Sequence, residues 1–140
     1  MKKYAVFGFC LLLTSALFVR YVSAAIYPNL IGTWSGTGKG VSPDMGFFDI
    51  SVTMIVVEQQ GKLFRGTMEA TSPGGTPSTI PFSGIIISPD KEMVITLGYD
   101  SIEHKPLYTS IRGQLAGRTY SAYWQNVEAG DCGAITLKKL

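Results

Sequence analysis

Residues 30–40 decide the fold of this chain, and they read Leu30-Ile31-Gly32-Thr33-Trp34-Ser35-Gly36-Thr37-Gly38-Lys39-Gly40. A short apolar lead-in is followed by one large aromatic residue and a string of glycines. The stretch predicts the first strand of a closed β-barrel. The chain after it repeats one pattern: a strand of about ten residues, a tight polar turn and the next strand.

The first 24 residues have the pattern of a signal peptide. Lys2 and Lys3 precede an apolar run over residues 4–19, and Val22-Ser23-Ala24 supplies the small residues before a cleavage site at Ala25. The run is shorter than the ~20 residues that span a bilayer as a helix. We therefore expect export to the periplasm, the cell surface or the medium, with one domain over residues 25–140 that has no membrane contact after cleavage. A membrane anchor formed by an uncleaved leader is the alternative.

Removal of this leader changes the sign of the net charge. The whole chain carries +2, from 12 Lys and Arg against 10 Asp and Glu. Lys2, Lys3 and Arg20 leave with the leader and no acidic residue does, so the predicted mature domain carries −1. Its cations are scattered singly rather than concentrated on one surface, which argues against a nucleic-acid partner.

Cysteine usage excludes an internal disulfide in the predicted mature domain. Cys10 lies in the leader, so Cys132 is the one cysteine that remains. We expect Cys132 to be a buried small apolar side chain, which is the usual place of a free cysteine. The alternative is an intermolecular disulfide or a reactive thiol. In either case the apolar core has to stabilise the domain.

Eight strands follow from β-branched and aromatic runs between Gly- and Pro-rich turns, and no window after residue 25 has helical periodicity. The links are short enough for hairpins, so neighbouring strands should pair in sequence order. Eight such strands close into a barrel, which leaves no free sheet edge. We predict an all-β fold, a single antiparallel up-and-down eight-stranded β-barrel, with strands at residues 31–39, 47–58, 63–71, 79–88, 92–99, 107–115, 118–126 and 132–139.

Side chains alternate between the two faces of a strand, and in this chain one set of alternate positions is apolar and aromatic with almost no charge. An eight-stranded barrel is either filled by such side chains or holds one small ligand. The sequence leaves both outcomes open. The set predicted to face the lumen is Ile50, Val52, Met54, Val56, Phe64, Met68, Ala70, Ile80, Phe82, Ile86, Met93, Ile95, Leu97, Tyr99, Leu107, Thr109, Ile111, Leu115, Tyr120, Ala122, Trp124, Ile135 and Leu137.

Glycines also fall on the predicted lumen face, and their role has two interpretations. Glycine kinks let a small barrel turn its corners. Alternatively, the missing side chains leave room for a ligand, and the two roles are compatible. The residues concerned are Gly36, Gly38, Gly66, Gly84 and Gly113.

The predicted outer face is not uniformly polar. It includes several apolar residues, namely Ile55, Val57, Ile85, Ile87 and Val94. Because soluble monomers seldom group that much apolar surface, a homo-oligomer is one expectation. The other is a local change of parity at a β-bulge, which would turn some of these side chains inward.

The start of the first strand resembles a known family. Gly32-Thr33-Trp34 resembles the Gly-x-Trp opening shared by lipocalins and avidins, the calycin barrels, and the likeness in strand count and length extends over residues 30–139. The resemblance implies that Trp34 closes one end of the barrel. Lipocalins commonly pack an Arg of the last strand over this Trp, and the last strand here offers Lys138 or Lys139.

The third strand is similar to one in avidin. Arg65-Gly66-Thr67-Met68-Glu69 resembles the Gly-Thr-Tyr-Glu of that strand, but Met68 stands in place of a biotin-contacting Tyr. The polar ligand residues that follow the Trp in avidins correspond here to Gly36 and Gly40. The resemblance therefore implies a shared shape, and biotin binding is not implied.

Sequence motifs for catalysis or for metal and cofactor binding are absent. His104 is the only histidine, no His/Cys spacing supplies further ligands, and we interpret it as an exposed loop residue. The glycine run of residues 36–40 has neither dinucleotide-site spacing nor a helix after it. Asp49 and Glu69 are predicted to face outward, so no carboxylate pair enters the lumen. We expect no metal and no cofactor.

The leading hypothesis is an exported, non-enzymatic barrel that binds a small apolar or aromatic molecule in its lumen. An extracellular protein-interaction or inhibitor barrel, acting through the loops at residues 72–77 and 100–106, is the alternative. A cofactor-free cyclase or isomerase, similar in outline to allene oxide cyclases that work by shaping a hydrophobic cavity, is a third. No catalytic residue is predicted, and the predicted ligand-binding residues are Trp34, Met68, Phe82, Tyr99, Tyr120 and Trp124.

Overall fold

The chain folds into a closed antiparallel barrel of eight strands beside one small hairpin, which confirms the predicted fold class. The structure, a computed structural model, describes residues 27–72, 74–87, 92–100, 105–106 and 108–140; the predicted signal peptide and His104 lie outside them. No helix in the described ranges is long and apolar enough to cross a bilayer. The barrel strands are β1 (Gly32–Ser42), β2 (Gly46–Gln60), β3 (Leu63–Thr71), β4 (Ser78–Ile86), β5 (Glu92–Leu97), β8 (Thr109–Ala116), β9 (Thr119–Asn126) and β10 (Asp131–Lys139), and the hairpin pairs β6 (Tyr99–Asp100) with β7 (Lys105–Pro106).

The strands follow each other around the barrel in the order β1-β10-β9-β8-β5-β4-β3-β2, and β1 closes the barrel by pairing with β10. Because neighbouring strands are antiparallel, the connections fall at two ends. The connections after β1, β3, β5 and β9 lie at what we call the open end. The connections after β2, β4 and β8 lie at what we call the closed end, together with residues 27–31 and the C-terminal Leu140.

Strand boundaries differ from the prediction most clearly at the end of β5. The prediction continued this strand to Tyr99, but β5 ends at Leu97. The backbone N–H of Gly98 donates to the carbonyl oxygen of Pro81 at 2.8 Å, and the chain then leaves the barrel. Tyr99 therefore belongs to the small hairpin, and its side chain, like residue 107, lies outside the described part of the chain.

The alternation of faces agrees with the prediction along all eight barrel strands. The inner positions form one continuous cluster of buried apolar side chains, which includes Trp34, Met54, Ile95, Tyr120 and Leu137. The outer positions of the same strands are mostly exposed. The period of two in the sequence therefore places the core inside the barrel.

The lumen-side glycines serve the closure of the barrel. A Cβ at Gly36 would fall on the carbonyl oxygen of Thr136, and one at Gly38 on that of Ala134. Gly66 and Gly113 are in the same situation against neighbouring strands, and the space beside Gly84 is taken by the Phe64 ring. These contacts favour the mechanical interpretation, because backbone or an aromatic ring occupies the space that a ligand would need.

A β-bulge in β2 changes which side chains face the closed end. The register with β3 shifts between Val56 and Glu58, so that Glu58 pairs with Arg65 on the outside and Gln59 faces inward. The carboxylate of Glu58 accepts from Arg65 Nε at 2.6 Å. Ile55 and Val57 both face outward by regular alternation, and the bulge turns Glu58 outward and Gln59 inward.

Of the five apolar residues predicted to face outward, Ile55, Val57 and Ile87 are exposed and Ile85 and Val94 are half-buried. The predicted burial of Cys132 is wrong. Ile55, Val57 and Ile87 expose 41%, 59% and 53% of their surface. Cys132 is an exposed free thiol. Because Ile135 and Leu137 face the lumen, strand parity places Cys132 on the outer face with Ala134.

Candidate functional site

Trp34 fills the closed end of the barrel. The side chain is 1% exposed, and its indole Nε1–H donates to the backbone carbonyl of Leu30 at 2.9 Å. Lys139 Nζ lies 5.8 Å from the centre of the Trp34 ring and donates to the carbonyl of Asn29 at 2.8 Å. A cation over the face of an indole is favourable. The last strand thus supplies Lys139 at the position where the calycin resemblance suggested a cation.

The segment before β1 seals this end through Gln59. Its side-chain Nε2 donates to the carbonyl of Pro28 at 2.9 Å, and its Oε1 accepts from the backbone N–H of Leu30 at 2.7 Å. Leu30 is 1% exposed and packs in the core. The barrel is therefore closed at this end by ordered chain, and no ligand enters there.

Large side chains fill the lumen above Trp34. Tyr120 is fully buried, and its hydroxyl donates to the carbonyl of Met93 at 3.2 Å. Burial raises the pKa of Tyr120 above its ordinary value, and the charge of Glu92 adds to the shift. Phe64 and Phe82 meet edge to face with ring centres 6.1 Å apart. These side chains all belong to the buried apolar core.

The half toward the open end contains a cavity of about 150 Å³. Of the nine residues that line it, only Thr109 and Trp124 carry side-chain nitrogen or oxygen atoms. Dry apolar cavities of this size are able to bind benzene. The barrel is therefore filled at one end and hollow at the other, and the cavity is lined by Ile50, Val52, Met68, Ala70, Leu97, Thr109, Ile111, Trp124 and Ile135.

Trp124 forms the wall of this cavity on a surface made of glycine. Its indole lies over Gly133 and Gly40, which pair across β10 and β1. A Cβ at Gly133 would lie 2.6 Å from Trp124 Nε1, and one at Gly40 would lie 2.9 Å from Cζ2. The Phe48 ring packs at the far side, with its centre 6.2 Å from that of Trp124. Only glycines leave room for this arrangement.

Two buried polar atoms near the open end have no hydrogen-bond partner among the residues that the structure describes. They are the indole Nε1–H of Trp124 and the carboxylate Oδ1 of Asp131. An unpaired buried group costs about 1–3 kcal/mol. Such a pair is unusual in a native structure and calls for an explanation.

The predicted ligand-binding residues are divided between the two halves. Met68 and Trp124 line the cavity. Trp34, Phe82 and Tyr120 belong to the packed core, and the side chain of Tyr99 lies outside the described part.

All nine cavity residues belong to the set predicted to face the lumen, although only Met68 and Trp124 are among the predicted ligand-binding residues. Asp131 is in neither set. The predicted last strand begins at residue 132, one residue after Asp131. The alternation that puts Ile135 in the lumen, followed back through Gly133, also puts Asp131 on the inner face. Within the described ranges, no group of three His, Cys, Asp or Glu residues could hold a metal ion.

Comparison with solved structures finds the same architecture in designed proteins. The chain is similar to a de novo designed fluorescence-activating β-barrel, with a TM-score of 0.56 and 17% identity over 85% of this chain and 99% of that one. It is also similar to a redesigned β-barrel, mFAP0, bound to DFHBI, with a TM-score of 0.58 and 17% identity over 79% of this chain and 98% of that one. No protein-family model and no curated protein matches the sequence.

The raised pKa of Tyr120 predicts that the folded protein loses stability in alkaline solution. Its pKa is raised in the fold, so above about pH 10 the unfolded chain loses the proton while the folded chain keeps it. The free energy of unfolding should then fall by up to about 1.4 kcal/mol per pH unit from this group. Tyr120→Phe should remove this contribution and cost about 0.5–1.5 kcal/mol at neutral pH.

Urea unfolding of both proteins between pH 8 and pH 11 measures the effect. Tyr123→Phe is the matched control, because Tyr123 lies on the same strand with 76% of its surface exposed. Equal pH slopes in the wild type and Tyr120→Phe would contradict the prediction.

Proposed function

We propose that this protein is an exported, non-enzymatic β-barrel that binds one small apolar or aromatic molecule in the open half of its lumen. The observation that carries the proposal is the cavity of about 150 Å³ with an almost wholly apolar lining. Pockets of this kind, apolar with a few polar groups, are typical of small-molecule sites. The lining offers one hydroxyl and one indole N–H, which suits binding better than acid–base catalysis.

The architecture gives the proposal further support. The closed end is sealed around Trp34, so a ligand has one route of entry, through the open end. The Gly-x-Trp start and the cation over Trp34 agree with kinship to the calycin barrels. One designed barrel with this architecture is described as bound to DFHBI, and the other as fluorescence-activating.

Filling the cavity should abolish binding. Ala70 lines the cavity, so Ala70→Phe places a ring in the volume that a ligand would occupy. We expect toluene to raise the melting temperature of the wild-type domain more at each higher concentration, in the logarithmic way of a ligand that binds only the folded state. We expect Ala70→Phe to weaken toluene binding at least tenfold. Thermal unfolding and NMR titration with toluene measure both effects.

The control variant is Ala134→Phe, which adds the same ring on the outer face of β10. It should bind toluene as the wild type does. Equal binding by Ala70→Phe and the wild type would show that the ligand sits elsewhere, and absence of toluene binding by the wild type would overturn the lumen proposal.

Export is the part of the proposal that rests on the leader. Pro28 and Leu30, a few residues after the predicted cleavage site, are hydrogen-bonded to Gln59 at the closed end and so belong to the folded domain. Expression of the full chain with its leader should yield a protein that starts at Ala25. Intact-mass spectrometry of the extracytoplasmic fraction measures this. An unprocessed chain retained in the membrane fraction would instead support the uncleaved anchor.

The outer face suggests a second partner, another copy of this chain. Leu63, Ile85 and Val94 lie directly opposite one another on β3, β4 and β5 and form an apolar row. Leu63 is 52% exposed. Such a row is the kind of surface that a homo-oligomer buries.

Replacing part of this row should dissociate the oligomer. Leu63→Thr combined with Ile85→Thr places β-branched residues, which suit a strand, at both positions but removes apolar surface. Sedimentation velocity should show an oligomer for the wild type and a monomer for the double variant. Tyr123→Thr, on β9 across the barrel, is the control and should stay oligomeric. A monomeric wild type at high concentration would contradict the expectation.

A further inference from the structure

The unpaired indole N–H of Trp124 and the unpaired carboxylate oxygen of Asp131 form a complementary pair. The first is a hydrogen-bond donor and the second an acceptor, and neither is bonded to any group in the described part of the chain. Both atoms are buried although neither residue as a whole is. A single bound group with one acceptor and one donor would satisfy both.

Strand parity places the two residues on the same wall of the lumen. Trp124 is opposite Gly133 on β10, and Asp131 lies two residues before Gly133 on that strand. Residues two apart on a strand share a face and are separated by about 7 Å. Since a Cβ at Gly133 would lie 2.6 Å from Trp124 Nε1, the donor lies against the lumen side of Gly133. Asp131 is the next residue of β10 on the same face, in the direction of the open end.

Trp124, which carries the donor, lines the cavity. Asp131, which carries the acceptor, lies outside the lining, at the start of β10 and therefore nearer the open end. The rest of the lining leaves the ligand body only apolar contacts, apart from Thr109. A ligand bound in the cavity would therefore place its apolar part against the lining and its polar edge toward the open end.

Resting on the proposed function, the structure assigns a polar recognition site to this wall: Trp124 Nε1–H and Asp131 Oδ1 together bind the polar edge of a lumen ligand. The ligand class that fits is a single ring, about the size of benzene, that carries a hydrogen-bond acceptor next to a donor, as in a lactam (a cyclic amide). The acceptor takes the indole N–H, and the donor is directed to the carboxylate. A site built to bond a donor discriminates strongly against an analogue that lacks it.

Three probes test this assignment on the domain that starts at residue 25. The first is 2-pyridone, a lactam with adjacent donor and acceptor; the second is 1-methyl-2-pyridone, in which the donor is blocked; the third is toluene, which has neither. NMR titration should show that the wild type binds 2-pyridone at least tenfold more tightly than 1-methyl-2-pyridone. In Trp124→Phe and in Asp131→Ala this ratio should fall to within about twofold of one. Asp131→Ala should still bind toluene, because Asp131 does not line the cavity.

Glu128→Ala is the matched control, since Glu128 is an exposed carboxylate at the same end of the barrel. It should keep the wild-type ratio. Equal affinity of the wild type for the two pyridones would overturn the recognition site while toluene binding upholds the lumen proposal. A ratio that persists in both variants would mean exclusion of the methyl group by size and would also overturn it. Loss of binding of all three probes by the wild type would overturn the lumen proposal itself.

Discussion

The close approach of β1 to β10 is the constraint on which the rest of this structure depends. At Gly36 and Gly38 the carbonyl oxygens of β10 occupy the space where any other residue would carry its Cβ. The eight-residue register between these strands, from Trp34 to Val41, closes the barrel and leaves no free edge. Because the closed barrel has eight strands, its lumen has a width that side chains can fill or that holds one small molecule.

Within that width, the size of the inward side chains decides which half is hollow. Toward the closed end the inward positions carry Trp34, Met54 and Tyr120, each less than 2% exposed. Toward the open end they carry smaller side chains such as Ala70 and Thr109, which leave the cavity of about 150 Å³. Interiors are otherwise packed as densely as organic crystals, so this local change in side-chain volume is what creates the cavity.

The features that the sequence could predict were those that depend on the two-residue alternation of side chains along a strand. Alternation along each strand placed the inner residues, and the turn signals placed the strands, because both depend on neighbouring positions only. Whether the barrel contains a cavity depends on the combined volume of the side chains that eight strands place at the same level along the barrel axis. The sequence of a single strand does not determine that volume. Tyr99 was misplaced because Gly98 bonds to Pro81 on the neighbouring strand, a contact invisible in the local pattern. The alternation along β10 would have placed Cys132 on the outer face and Asp131 on the inner face. The prediction instead buried Cys132, as is usual for a free cysteine, and began the strand one residue after Asp131.

Trp124 connects the cavity to the closure of the barrel. Its indole rests on Gly133 and Gly40, and these two glycines pair across the same β10–β1 seam that closes the sheet. A side chain at either glycine would displace the indole from the wall of the cavity, so the seam and the site cannot vary independently. The same contact leaves the indole N–H without a partner in the described residues, beside the unpaired oxygen of Asp131. The glycines at the β10–β1 seam thus leave a flat surface on the lumen side, on which the Trp124 ring lies. The N–H of this ring is the donor available to a ligand. Any molecule that bonds this donor binds only the folded barrel, and its binding free energy therefore adds to the stability of the closed state.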